Sequence, residues 1–205
     1  MRLQYTPMLR RTFLPLAIVL FALVPLASAE VEAWRLDPVH SNVGFKVRHF
    51  MVSWVRGQFM EPQATIWIDR SDLSSLKMEV NIKTASVNTG VQRRDDHLRN
   101  PDFFDAENHP EMKFVSKRSM KQPDGSVKVL GDLTMRGATH EITMDVTGLD
   151  KVVDPGSGPR MGATARAVVQ RSKWGVSFTE QIASGGVTVG DDVYIEIEAE
   201  LRPVQ

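Results

Sequence analysis

From Val193 to Leu201 every second residue is apolar: Val193, Ile195, Ile197, Ala199 and Leu201 alternate with Tyr194, Glu196, Glu198 and Glu200. Successive side chains of an extended strand point to opposite faces, so such a stretch buries one face and wets the other. The pattern recurs along the chain. Val43, Phe45 and Val47 oppose Gly44, Lys46 and Arg48; Ile66 and Ile68 flank Trp67; Met78, Val80 and Ile82 oppose Glu79, Asn81 and Lys83. Met112 and Phe114, Val127 and Val129, Leu133 and Met135, then Ile142, Met144 and Val146 continue it. About eight such runs, with turn residues between them, specify antiparallel strands and little helix. A sandwich and a closed barrel both satisfy the pattern, and periodicity does not choose between them.

One segment breaks the alternation. Arg94 to Pro110 reads RDDHLRNPDFFDAENHP, too charged and too rich in proline for a packed strand. It is expected to form a short helix and loop, within residues 91–108, over one end of the sheet. Asp154–Arg160 (DPGSGPR) and the glycine-rich Ala183–Gly186 are expected as loops. No linker divides the chain after residue 29, so residues 30–205 are expected as one domain, long enough for a substantial core.

Residues 1–29 have another character. Arg2, Arg10 and Arg11 are their only charges, an apolar stretch runs from Phe13 to Ala27, and Ala27-Ser28-Ala29 closes it. That is the pattern of a secretory signal peptide cleaved after Ala29. The apolar stretch carries Pro15 and Pro25 and falls short of the roughly 20 residues that span a bilayer, which argues against an anchor. Arg10-Arg11-Thr12-Phe13-Leu14 also resembles a twin-arginine motif, but the strong hydrophobicity that follows favours ordinary secretion. A periplasmic location is expected.

Three of the 25 basic residues and none of the 25 acidic ones lie in this segment, so the remainder is acidic by three charges. It carries no electrostatic footprint for nucleic acid and no polybasic patch for anionic lipid. There is no cysteine, which excludes disulfides, Cys-type zinc or redox sites, and acylation as a lipoprotein.

Four stretches carry a resemblance. Arg94-Asp95, His97-Leu98-Arg99 and Asp102-Phe103-Phe104-Asp105, then a proline and Phe114, form the first. Asp37–His49 (DPVHSNVGFKVRH), Gly131–His140 (GDLTMRGATH) and Asp192–Glu200 accompany it. In this order and spacing they resemble the YceI-like family of polyisoprenoid-binding periplasmic proteins, over the whole chain after residue 30. The resemblance implies an eight-stranded antiparallel lipocalin-like barrel, with the short helix/loop excursion near residues 91–108. It also implies a polyisoprenoid or isoprenoid quinone as the ligand, held in an apolar barrel cavity.

An eight-stranded barrel is just wide enough to fill with its own side chains or to hold one small ligand. The inward sets are large, flexible or aromatic, and of the 10 methionines only Met1 and Met8 precede residue 30. Methionine fills irregular apolar shapes, which suits a lipid tunnel and a solid core alike. The residues alone leave these two open; the resemblance implies the hollow. Ligand contacts are then expected from Phe45, Val47, His49, Phe59, Met78, Phe114 and Met135 on the strands. Leu98, Phe103 and Phe104 join them as a lid. Met51 and Trp54 join because Met51–Gly57 breaks the alternation and corresponds to a family loop near the barrel opening. Trp174 and Phe178 flank Gly175 in an element resembling the family's aromatic-glycine-valine motif. Affinity would come from apolar area, at roughly 25 cal/mol per Å². Such binding needs no cofactor, nucleophile or metal.

The polar residues admit other readings. His40, His49, His97, His109 and His140 show no compact metal-ligand spacing. His49 has inward parity, His40 follows Asp37-Pro38 in a turn, and His140 is expected exposed in the turn after Arg136-Gly137. Asp95, Asp96, His97, Asp102 and Asp105 could serve as acid–base groups or cap a short helix, with Arg93, Arg94 and Arg99 as ion partners. No nucleophile or oxyanion motif accompanies them, so a non-enzymatic carrier is expected. The alternatives are a secreted isomerase or hydrolase using His49 or His97 as base, or a solid barrel whose surface binds a partner. No nucleic acid and no stable membrane insertion are expected, and a homodimer through an exposed strand edge is compatible with the sequence.

Overall fold

The structure is a computed structural model and describes Met1 and residues 30–204. The expected signal peptide thus lies, apart from Met1, outside the described residues.

Among the described residues, twelve strands and one α-helix follow each other along the chain. They are β1 (Glu32–Leu36), β2 (Asn42–His49), β3 (Ser53–Phe59), β4 (Pro62–Asp69), β5 (Asp72–Lys83) and β6 (Val87–Asn88), then α1 (Gln92–Arg99). β7 (Glu111–Lys121), β8 (Val127–Met135), β9 (Ala138–Thr147), β10 (Val152–Val153), β11 (Arg160–Gln170) and β12 (Val189–Pro203) complete it. β1 and β2 both run antiparallel to β12 and form one long bent strand, broken at Asp37–Ser41. β3 with β4, β5 with β6, and β9 with β10 are bent pairs of the same kind. Counting each bent pair once, eight strands follow one another round the sheet, and β12 closes the ring by pairing with β11 and with β1/β2. The fold is therefore the closed antiparallel barrel rather than the sandwich. The Asp37 carboxylate, hydrogen-bonded to Val39 N–H and to His40 Nδ1, fastens the bend between β1 and β2. His40 thus stabilises a turn, as its place after Pro38 suggested.

The barrel is solid at one end and hollow at the other. In the solid half Ile68, Leu76, Val127, Val129, Val146 and Met161 interlock and are essentially inaccessible. On the β11–β12 ladder small residues pair with large ones, Ala165 with Ile197 and Ala167 with Ile195. In the other half the inward residues Phe45 and Val47 of β2, Val55 and Phe59 of β3, and Val193, Ile195 and Ile197 of β12 are only partly buried. The interior is thus filled in one half of the molecule and open in the other.

Two details differ from the expectation. Ser53–Phe59 is a regular strand and not a loop, since β2 turns into β3 through the three residues Phe50, Met51 and Val52. His140 stands within β9, exposed, with its ring edge-on to Trp174 at 5.0 Å.

Candidate functional site

The hollow half holds a cavity of about 350 Å³. Its walls are the inward residues of the strands: Val43, Phe45 and Val47 of β2, Val55 and Phe59 of β3, Val80 and Ile82 of β5, Val193, Ile195 and Ile197 of β12. Phe114 and Met144, which also belong to the solid core, form its floor. Two glycines keep the lumen open. Gly57 lies opposite Phe45, and Gly131 beside Phe114, so each ring lies flat over a wall position without a Cβ.

The roof is the segment that breaks the alternation. α1 has eight residues, too short to be stable alone. Pro101 ends it by pushing Asn100 into extended backbone. Polar contacts hold it down. The buried Asp95 carboxylate accepts from Thr89 N–H (2.8 Å) and Thr89 O–H (2.5 Å). The Arg94 guanidinium donates to Thr89 Oγ1 and to its carbonyl, and Arg99 donates to the carbonyls of Ala85 and Val87 and to Asp96. Arg136, from the β8–β9 turn, donates to the Phe103 carbonyl at 2.6 Å. Of the expected ion pairs at this segment, Arg99–Asp96 forms, whereas Asp95 works through Thr89. Beneath these contacts Leu98, Phe103 and Phe104 face the cavity. Phe104 meets Phe59, which meets Phe45, and Phe103 meets Phe178, at centroid distances of 5.7, 5.6 and 5.2 Å. His97 joins the second group edge-on to Phe103 and Phe178, with Nε2 2.9 Å from Asp102.

Polar groups touch the cavity at this end: His49, Arg94, His97, Arg171, Glu180 and Thr188. Arg171 is the most deeply placed of them. The residue is 6% exposed, and its guanidinium donates to the carbonyls of Gly190, Val176 and Val189 at 2.8, 2.6 and 3.1 Å. Burial lowers its pKa from the ordinary arginine value, and Asp191 partly offsets this. Arg171 thereby ties the end of β11 to the start of β12 and to the Val176–Val189 loop.

The structure brings together most of the residues singled out from sequence. Phe45, Val47, His49, Phe59, Leu98, Phe103, Phe104, Phe114, Met135 and Phe178 line the cavity. Four stand elsewhere. Trp54 is on the outer face of β3, edge-on to Tyr194 at 5.3 Å and beneath the Arg48 guanidinium at 4.0 Å. Met51 is at the exposed tip of the β2–β3 hairpin. Met78 has inward parity but lies below the floor, in the solid core. Trp174 fills a seam in the wall. β9 and β11 pair at Asp145, Val146 and Thr147 and then part; Trp174 sits in the opening and donates its indole N–H to the Leu133 carbonyl. Sequence reading missed Arg171, although it continues the inward parity of Ala165, Ala167 and Val169.

A second polar cluster lies at the opposite, solid end. Among the described residues, Asp37, His40 and Glu200 bring three potential metal ligands together. Cations of the protein already serve these carboxylates: Arg202 contacts Asp37, and Arg160 contacts Glu200 at 3.0 Å. The cluster reads as the fastening of a bend.

Residues 34–201, which span this barrel and its roof, match the YceI-like domain. The chain belongs to the YceI-like family. It is 38% identical over 170 residues to a UPF0312 protein of Staphylococcus epidermidis, a match covering 82% of this chain and 95% of that one. Among solved structures, a YceI protein of Campylobacter jejuni superposes with a TM-score of 0.65 at 33% identity, over 83% of this chain and 96% of that one. A polyisoprenoid-binding domain from Saccharophagus degradans, implicated in plant cell wall breakdown, shares the fold at 15% identity. Its TM-score is 0.61, over 84% of this chain and 99% of that one. The YceI-like assignment and the eight-stranded barrel expected from sequence both hold.

Proposed function

We propose that this YceI-like protein is a non-enzymatic lipid carrier of the periplasm, holding a polyisoprenoid or the tail of an isoprenoid quinone in its barrel. The observation that carries this reading is the cavity of about 350 Å³, walled by Val, Ile, Leu, Met and Phe, with its polar groups gathered at one end. A hydrocarbon chain gains by every apolar area it removes from water and needs a partner only at its head group. The volume is near the lower limit of small-molecule sites, roughly 300–1,000 Å³, so the enclosed space suits a section of a long chain. The head group would then meet the end where His97, Glu180 and Thr188 lie. The polyisoprenoid-binding neighbour supports the ligand class, and the signal-like residues 1–29 support the compartment.

Loading tests this reading. Delipidated protein is mixed with an isoprenoid quinone, passed over a gel-filtration column, and the quinone that stays bound is measured. One quinone per barrel is expected, with loss of retention in Val47→Trp, which fills the lumen. No retention by the unaltered protein, or equal retention by the filled variant, would remove the cavity from the binding.

A further inference from the structure

We propose that the hollow end of the barrel docks on a phospholipid bilayer surface through two adjacent tips, Phe50–Val52 and Ile182–Gly186. The proposal rests on the reading that the cavity takes a lipid, and it adds where the protein would meet the source of that lipid.

The first tip is a three-residue hairpin loop between the paired His49 and Ser53, holding a β-turn closed by the Val52 N–H on the His49 carbonyl at 3.1 Å. Its central residues, Phe50 and Met51, have φ of 50° and 60°. Positive φ at both positions is the geometry for which Asn-Gly is the favoured pair, because side chains such as Phe and Met crowd the backbone there. Apolar residues occupy it nonetheless and face water, with Phe50 44%, Met51 50% and Val52 80% exposed. Strain kept at a solvent-facing apolar site points to a use for those side chains.

The second tip lies against the first. Phe50 N–H donates to the Thr188 carbonyl at 3.0 Å, and a Cβ on Gly186 would come within 3.3 Å of Met51 Cγ. Residues 49–55 and 181–190 contain no Asp, Glu, Lys or Arg, although 24% of the chain is charged. Behind the tips, on the outer wall, Arg48 covers Trp54 and Trp54 meets Tyr194. Aromatic rings with a polar edge, next to a snorkelling cation, suit the headgroup layer. The cavity lining reaches the same tips through His49 and Thr188.

The occupant follows from size and charge. Two short tips offer far less than the roughly 1,000 Å² that a stable protein interface buries, whereas a bilayer admits a small wedge. Lys46 and Arg56 are paired with Glu196, and Glu180, Asp191 and Asp192 stand nearby, so no net positive field drives the contact. Docking should therefore be apolar and insensitive to salt.

Vesicle flotation decides. The barrel closes within Glu32–Pro203, so residues 30–205 are used, without the apolar residues 13–27 that would bind vesicles themselves. With phosphatidylethanolamine–phosphatidylglycerol vesicles the protein should float, at low and high salt alike. The triple variant Phe50→Asn, Met51→Asn, Val52→Ser should float on the order of tenfold less, since partition follows the apolar area withdrawn from water. Asn suits the left-handed turn, so its melting temperature should not fall. Val153→Ser, exposed at the solid end, should float like the parent. Failure of the parent to float, or equal flotation of the triple variant, overturns the proposal. A dimer lost in the triple variant, with no flotation by the parent, overturns it too and gives the tips to a second copy. Lipid content is measured separately by solvent extraction, so a barrel that holds lipid but does not float sinks the docking alone.

Discussion

A Cβ placed on Gly57 would come within 2.4 Å of the Phe45 ring, directly across the β2–β3 ladder. The missing side chain lets the ring lie along the wall, and the lumen beside it stays open. Gly57→Ala should push the ring inward, because the Thr89 methyl, 2.9 Å from the same point, restricts the alternative. The expected result is several-fold lower quinone retention and a stability loss of about 1–3 kcal/mol from overpacking. Retention assays and thermal unfolding check both; unchanged retention would mean that this wall does not shape the site.

The roof and the outer face make a paired prediction. Phe103→Ala with Phe104→Ala should lower lipid retention while the far-UV spectrum stays strand-like, since these rings close the cavity. Trp54→Ala removes a larger aromatic yet should leave retention intact, because its ring packs outside on Tyr194. Equal losses in the two variants would contradict this division of the barrel wall.

Arg171 is a structural cation. In Arg171→Ala the Gly190 and Val176 carbonyls would lose these hydrogen bonds, Val189 keeping that of the Thr179 hydroxyl, at a cost of about 3–5 kcal/mol. Lysine lacks the planar fork that reaches Gly190, Val176 and Val189 together, so Arg171→Lys should recover only part of the loss. Denaturant unfolding measures both; full recovery by lysine would show that charge alone suffices.

Asp37 gives the solid end a pH dependence. The His40 hydrogen bond, helped by Val39 N–H and the nearby Arg202, holds its pKa below the ordinary 3.8. A carboxylate with a depressed folded-state pKa stabilises above its unfolded value, and that contribution disappears as pH falls through the folded value. Asp37→Asn should therefore melt at a lower temperature than the parent at neutral pH, with the gap closing below pH 3.8. A gap that stays constant down the acid limb would assign the bend's stability to other groups.

Much of this was legible in the sequence because a strand's parity is rigid. Val43, Phe45, Val47 and His49 point inward as their alternation requires, and the charged, proline-bearing segment sits over an end. Trp54 shows where legibility stops. Phe50-Met51 carries no Asn-Gly turn signal, so the start of β3 was hidden and Met51–Gly57 read as a loop. Met78 shows a second limit: parity distinguishes inside from outside but not floor from cavity. Arg171 and Trp174 depend on where β9 and β11 part, a feature of the three-dimensional seam with no local signature.

The most direct test purifies the protein from its native host without detergent, extracts it with organic solvent and identifies the extract by mass spectrometry. An isoprenoid chain at close to one per barrel is expected. Repeated recovery of folded protein with no lipid, and with a cavity that stays empty when isoprenoids are offered, would contradict the carrier.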